Sequence, residues 1–449
     1  MQNIKFLSFI GIDKPVFYFL LSKGFNFVAA PVTIYFVTTF LNPVEQGYYY
    51  TFYSLLGISI FFELGLGTVI TQFASHEYSN LSWLNEKELS GENYSLSRVI
   101  SLTKKSMKWY SIISGLLVIF LSYSGYVFFR TKQESYNISF IIPWIILVFF
   151  FGLNTSFIPL LSVLEGCGKI AEVQQLRAFQ SVVGVIAAWI CFVSGGKLLV
   201  VPVEFISYFS ILCLWLFLRY KSFLKQVLMH NSDKGVHISW FREIFPMQWK
   251  IAVSWISNYF TSYLFVPLLF AYQGPIEAGR MGVSTKVSGI IYTLSMAWIS
   301  TKVPYYGALV SKKEHNKLKS LAIKGTTQAV FMGIIFSLMA LLLLSVIENF
   351  VPRYRGRILP LCFVGILCGA SILNVITSSI ACYLRAHKEE PLMIVSIIVA
   401  ICSALVSFYT SIYHNANIMS LGYLLVIMFI SVPLHYYVFV KKQREWYDK

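Results

Sequence analysis

The chain has 449 residues, 57% hydrophobic and 12% charged, with a formal net charge of +16. A sequence so poor in charge cannot cover itself with a polar skin, which excludes a water-soluble enzyme or a string of soluble domains. The positive balance does not point to nucleic acid, because the basic residues are scattered over short segments beside apolar runs. Membrane topology and anionic lipid headgroups account for them.

The opening stretch Phe6 to Ile12 is interrupted by Asp13 and Lys14 and lacks a small-residue cleavage site, so it reads as an interfacial lead-in. Apolar runs follow at Val16 to Phe40, Gly47 to Ala74, Trp109 to Phe129, Phe140 to Leu164, Ala178 to Ser194 and Leu199 to Leu218. A second series comprises Ile251 to Ala271, Met281 to Val303, Ala329 to Ile347, Ile358 to Leu384, Leu392 to Tyr413 and Ile418 to Val440. Each is close to the ~20 residues that cross a ~30 Å hydrocarbon core as helix. Such runs lack the period-two alternation of barrel strands and satisfy their own backbone. The expected fold is all-α, a polytopic membrane protein of about 12 transmembrane helices.

Most of the 36 Lys and Arg fall in alternate loops: Lys87 to Lys108, Lys169 to Arg177, Arg219 to Lys250, Lys302 to Lys324 and the tail from Lys441. Basic loops stay inside, so both termini are expected in the cytoplasm. The external loops are short, and Arg353, Arg355 and Arg357 are the main exception to the charge rule. The seven cysteines lie mostly within apolar runs at no metal-binding spacing and read as small hydrophobes.

The hinge Pro43-Val44-Glu45-Gln46-Gly47 returns as Pro275-Ile276-Glu277-Ala278-Gly279, each between two apolar runs. Gly57 pairs with Gly289 at the same offset, Ser101-Leu102 with Ser320-Leu321, and Pro143 with Pro360. Six spans separate equivalent positions, an even number, so both copies enter the membrane from the same side and the repeat is parallel. The expected organisation is two pseudo-symmetric six-helix lobes, residues 1–218 and 251–449, joined by a cytoplasmic loop at 219–250. A cleft between such lobes, reached alternately from each side, is the natural transport site.

Leu41-Asn42-Pro43-Val44-Glu45-Gln46-Gly47, the ending Glu63-Leu64-Gly65-Leu66-Gly67 with Gln72, Ala74 and Ser75, and the loop Leu164-Glu165-Gly166-Cys167-Gly168-Lys169 carry a resemblance. On these residues the whole chain resembles the multidrug/oligosaccharidyl-lipid/polysaccharide (MOP) flippase superfamily, and within it the Wzx-type polysaccharide exporters. The resemblance implies a V-shaped transporter of the bacterial inner membrane that moves undecaprenyl-diphosphate-linked oligosaccharide, such as an O-antigen repeat unit, to the periplasmic leaflet. Expected partners are that lipid-linked substrate, membrane lipids, and a polysaccharide polymerase and chain-length regulator.

Ionisable groups inside spans cost roughly 2.5 to 3.5 kcal/mol each unless paired or facing water. Glu63 lies near the middle of the second span and Lys23 about two turns into the first; they either pair across a cavity, or Lys23 snorkels and Glu63 makes a structural hydrogen bond. Lys286 lies in the eighth span with Arg280 at its mouth, two cations able to hold a diphosphate or acidic sugar. The resemblance implies basic residues on the first, second and eighth helices. Lys23 and Lys286 match, while Glu63 departs from it. Glu45 and Glu277 are placed to stabilise the helix N-termini that follow them, and Glu204 and His435 read as interfacial.

Gly166-Cys167-Gly168-Lys169 lacks the leading glycine and Ser/Thr of a phosphate loop, so no nucleotide cofactor is expected. Moving about two negative charges outward across ~100 mV yields ~4.6 kcal/mol, so membrane potential could assist export; Na⁺ or H⁺ antiport through Glu63 is the alternative. The rival readings are an ion-coupled multidrug or cation antiporter of the same superfamily and an O-antigen polymerase-type glycosyltransferase. The latter needs a large external loop that this sequence lacks.

Overall fold

The apolar runs are helices because no solvent is at hand to satisfy a main chain left open in lipid. The computed structural model describes residues 14–85, 87–136, 138–229, 245–311, 314–387 and 391–447. In chain order the helices are α1 (Lys14–Phe40), α2 (Pro43–Leu56), α3 (Ile60–Glu63), α4 (Leu66–Tyr78), α5 (Asn93–Tyr136), α6 (Ile141–Ser156), α7 (Ile158–Leu164), α8 (Ile170–Val193), α9 (Val200–Arg219) and α10 (Lys221–Met229). They continue as α11 (Phe245–Ser262), α12 (Phe265–Tyr272), α13 (Pro275–Ser300), α14 (Val303–Ser311), α15 (His315–Phe350), α16 (Leu361–Arg385), α17 (Met393–Tyr413), α18 (Ala416–Val426) and α19 (Val432–Tyr447). A hairpin of β1 (Leu81–Leu84) and β2 (Glu88–Gly91) stands between α4 and α5.

Among the described residues, seven helices are long and apolar enough to cross a membrane, or eight if the bent pair Pro43–Glu63 and Leu66–Tyr78 is one span. One of the seven, Ile141–Val193, holds two of the expected spans, divided where Cys167 and Gly168 leave helical geometry. The long helix α13 falls outside that set despite its 26 residues, since polar side chains interrupt it. The architecture is thus an all-α, multi-pass membrane protein. Large apolar side chains point outward along the long helices, among them Ile119, Tyr123, Leu342, Phe350 and Leu405, as lipid-facing surfaces require.

Two of the segments expected as basic loops are largely helical. α5 begins at Asn93, well before its apolar run, and α15 begins at His315.

The helices sort into two compact units, one of Met1–Phe40 and Ile58–Trp255, the other of Leu41–Gly57 and Ile256–Lys449. The segment Leu41–Gly57 therefore counts with the second unit, although it lies in the first copy of the repeat. In the first unit α1 packs on α8, α8 on α9, and α6 on both α5 and α9. Association between helices in lipid rests on close packing of small residues against large ones. Gly125 leaves the space that the fully buried Trp144 ring occupies, and the Trp144 indole donates to the Leu121 carbonyl (3.0 Å). Gly184 does the same for Tyr208. In the second unit α13 is central, packed against α2, α12, α15 and α16.

The hairpin is held from the side. Gln226 of α10 accepts from the Leu89 amide (2.9 Å) and donates to the Leu89 carbonyl (2.7 Å), imitating the pairing of a third strand. Trp83 packs edge-on to Phe223 of α10 and donates to the Cys167 carbonyl (2.7 Å), anchoring the hairpin to the α7–α8 junction.

Candidate functional site

The second span is broken, and the break is built by its sequence. After α2, Gly57–Ser59 tightens into a 3₁₀ turn, α3 lasts a single turn, and both Leu64 (φ 51°) and Gly65 (φ 67°) adopt the left-handed conformation before α4 resumes at a 48° bend. Gly65 takes that geometry without penalty, whereas a leucine there is held at a cost of about 1–2 kcal/mol. Gly67 then lets α4 approach Ser162 and Ile158 closely.

Glu63 is the last residue before the break and is half-buried. Its carboxylate accepts a hydrogen bond from Ser59, one turn back, and lies beside Tyr110 of α5. The side chain of Lys23 lies outside the described residues, so the expected Lys23 and Glu63 pair is not described.

The two hinge copies meet. Asn42 caps α2 by accepting from the Val44 (2.9 Å) and Glu45 (2.8 Å) amides, and Glu45 returns the contact by accepting from the Asn42 amide (2.9 Å). This brings Gly47 onto the start of α13, where any Cβ at Gly47 would run into the Pro275 main chain, and Gly279 faces the Gly47 amide in return. Glu277 stands in the first turn of α13, as its role at a positive helix end requires, and pairs with Arg280 (2.8 Å).

Arg280 is committed to the protein. Besides Glu277, its Nε donates to the Gly356 carbonyl (2.8 Å) in the loop between α15 and α16. Gln46 donates to the next carbonyl, Arg357 (2.9 Å), and the Ser284 hydroxyl accepts from the Leu359 amide (3.2 Å). Both hinge copies thus grip one loop. Burial lowers the Arg357 guanidinium from its ordinary value, and the Glu45 carboxylate opposes that shift.

Lys286 differs. It is exposed, and among the described residues no carboxylate pairs with it. Gly289, Thr293 and Ser300 are exposed as well, at helical spacing that places them on the same face, and a side chain at Gly289 would meet nothing within 4 Å. The opposite face of α13, with Val283, Val287, Ile291 and Ile299, is buried. A stripe of lysine, glycine and hydroxyls is ill suited to hydrocarbon and well suited to water or a polar solute.

Both units also carry interior polar contacts that sequence reading missed. In the second, Tyr292 bonds Ser378 (2.9 Å), Asn374 donates to Tyr423 (2.9 Å), and Thr326 bonds Ser379. The signal was Asn374-Val375-Ile376-Thr377-Ser378-Ser379, a hydroxyl-rich patch inside an apolar run. In the first, Trp189 donates to Thr33 (3.0 Å) and Tyr208 to Glu204, while the Ser181 bond to Asn26 (2.7 Å) is exposed. At the α7–α8 junction Glu172 joins Lys169 (3.0 Å), Arg219 (2.8 Å) and Tyr220 (2.5 Å), and Glu165 joins Arg177 (3.1 Å). Each carboxylate there is matched by cations, as structural bracing requires. The described residues contain no cluster of three or more His, Cys, Asp or Glu able to hold a metal ion.

Glu63 belongs to the first unit, Arg280 and Lys286 to the second. No family model and no curated protein sequence matches the chain. Among solved structures it is similar to an inward-facing multidrug resistance MATE family transporter of the MOP superfamily, at 12% identity over 96% of each chain with a TM-score of 0.66. It is also similar to the lipid II flippase MurJ in an inward closed conformation, at 15% identity over 94% of this chain and 89% of that one, with a TM-score of 0.63. A third is a MOP superfamily transporter from Pyrococcus furiosus, whose binding pocket is described as of reverse polarity, at 11% identity over 96% of this chain and 94% of that one, with a TM-score of 0.56. The fold of this chain is therefore the one that these transporters and the flippase MurJ share.

Proposed function

We propose that this chain is a flippase of the bacterial inner membrane, with both termini cytoplasmic, that carries an undecaprenyl-diphosphate-linked oligosaccharide to the periplasmic leaflet by alternating access. The observation that carries the reading is Lys286: a cation without a carboxylate partner among the described residues, on a polar stripe of a membrane helix. Such a stripe gives a diphosphate an attractive path along α13 and gives a cationic drug a repulsive one. The fold supports the same class, since one of its solved examples is a lipid II flippase.

The test is deletion in the native host. Lipid-linked repeat units accumulating on the inner leaflet, restored to export by the wild-type gene and not by Lys286→Glu, are the expected result. Normal surface glycan in the deletion strain would refute the proposal.

A second reading, an ion-coupled multidrug antiporter, is favoured by one observation, the carboxylate of Glu63 in the broken span. Under that reading deletion sensitises cells to cationic drugs and leaves surface glycan unchanged.

A further inference from the structure

We propose that the loop between α15 and α16 is an exit-side clamp for the diphosphate headgroup of a polyprenyl lipid, gripped by the guanidinium groups of Arg353 and Arg355. The inference deepens the flippase reading and rests on it, adding a landing site on the side of the membrane opposite the basic segments.

Charge placement is the first argument. α15 has 36 residues, a rise of ~54 Å that exceeds the ~30 Å hydrocarbon core, so its two ends lie on opposite sides of the bilayer. Lys317, Lys319 and Lys324 stand near its start, whereas Arg353, Arg355 and Arg357 follow its far end. Basic residues in a short loop favour keeping that loop inside, so three arginines at the far end work against the topology of the chain. Their presence calls for a use.

The loop is also pinned in place. Tyr354, Ile358 and Leu359 are buried, and Gly356 turns the chain at φ 73°. The Gly356 and Arg357 carbonyls accept from Arg280 and Gln46, and the Leu359 amide donates to Ser284, all within the second unit. Two cations are spent on this frame: Arg280 pairs with Glu277, and the half-buried Arg357 is held opposite Glu45. Arg353 and Arg355 are not. Both are exposed, and among the described residues no carboxylate pairs with either. The Arg355 Nε donates to the Glu348 carbonyl (3.3 Å), which orients its fork, and its terminal nitrogens make no further bond among the described residues.

Depth and charge then select the ligand. Phe350, 81% exposed, is the last residue of α15 and faces lipid, so Arg353, three residues on, stands at headgroup level. A planar guanidinium takes phosphate oxygens in pairs. Two such groups on a fixed loop match the charge of a diphosphate, where a phosphodiester headgroup brings only one negative charge.

The experiment uses the full-length protein in phosphatidylcholine nanodiscs, with geranylgeranyl diphosphate as the probe and binding followed by thermophoresis. Lys286→Gln serves as the background, so that binding to the α13 stripe does not mask the loop. Adding Arg353→Gln and Arg355→Gln is expected to weaken binding about tenfold or more with the thermal midpoint unchanged. Arg353→Lys, which keeps the charge and loses the fork, should recover only part of the affinity when Arg355 is intact. Excess phosphatidylglycerol or inorganic diphosphate should not displace the probe. Affinity unchanged by the two Gln substitutions, or no binding in the background, would overturn the proposal; displacement by phosphatidylglycerol would make this a site for a bilayer phospholipid and overturn it equally. If the combined variant does not fold, Arg353→Gln alone carries the test, since that side chain makes no bond among the described residues. Failure here leaves the flippase reading standing, because the deletion strain tests that reading separately.

Discussion

Gly47 lies so close to Pro275 that the space a Cβ would need is taken by the Pro275 main chain. Two positions of one repeated motif, far apart in the chain, are thereby pressed together at the start of α13. The contact is backbone to backbone, so no flexible side chain can give way.

The first prediction concerns that contact. Gly47→Leu should force α2 off α13 and lower the thermal midpoint of the purified protein, an overpacking cost of about 1–3 kcal/mol or more. Gly279→Ala, whose Cβ would meet the Gly47 amide at 3.0 Å, should cost less. Equal midpoints for wild type and Gly47→Leu would contradict the close approach.

Arg280 and Lys286 should separate in assay. Arg280→Ala removes the bond to the Gly356 carbonyl and the pair with Glu277, and should reduce stability by about 1–2 kcal/mol. Lys286→Ala removes no such bond and should leave the midpoint unchanged while export falls. Unfolding curves alongside surface glycan levels test both, and a destabilised Lys286→Ala would place that side chain in the structural frame instead.

The left-handed pair at the break gives a third. Gly65→Ala adds a Cβ at φ 67° and should cost about 1 kcal/mol. A midpoint unchanged by Gly65→Ala would show that the chain passes position 65 in another conformation.

The hairpin gives a fourth. Gln226→Ala removes both bonds to Leu89 and should raise the rate of limited proteolysis between β1 and β2 severalfold. Cleavage at the wild-type rate would mean that Trp83 alone anchors the hairpin.

The spans were legible because lipid imposes long apolar runs, and the capping of α2 by Asn42 and Glu45 was legible because it is local. The break at Leu64 and Gly65 was not. The run from Gly47 to Ala74 holds one charged residue, Glu63, and hydropathy carries no record of backbone direction. The hairpin also escaped, though Leu81, Trp83 and Leu89 alternate with polar neighbours, because its residues sat in what read as a basic loop. Arg280 and Lys286 look alike as cations near one helix mouth; only tertiary partners distinguish the one tied to Gly356 from the one left open. The meeting of Gly47 with Pro275 is wholly a product of packing, since the repeat pairs Gly47 with Gly279 and Pro43 with Pro275 without saying that the two motifs touch.

The grouping of Leu41–Gly57 with the second unit means that a gene cut at the repeat boundary would not yield two finished halves. The downstream fragment would present α13 with Gly279 and Gly282 bared to acyl chains, lacking the strut that fills them.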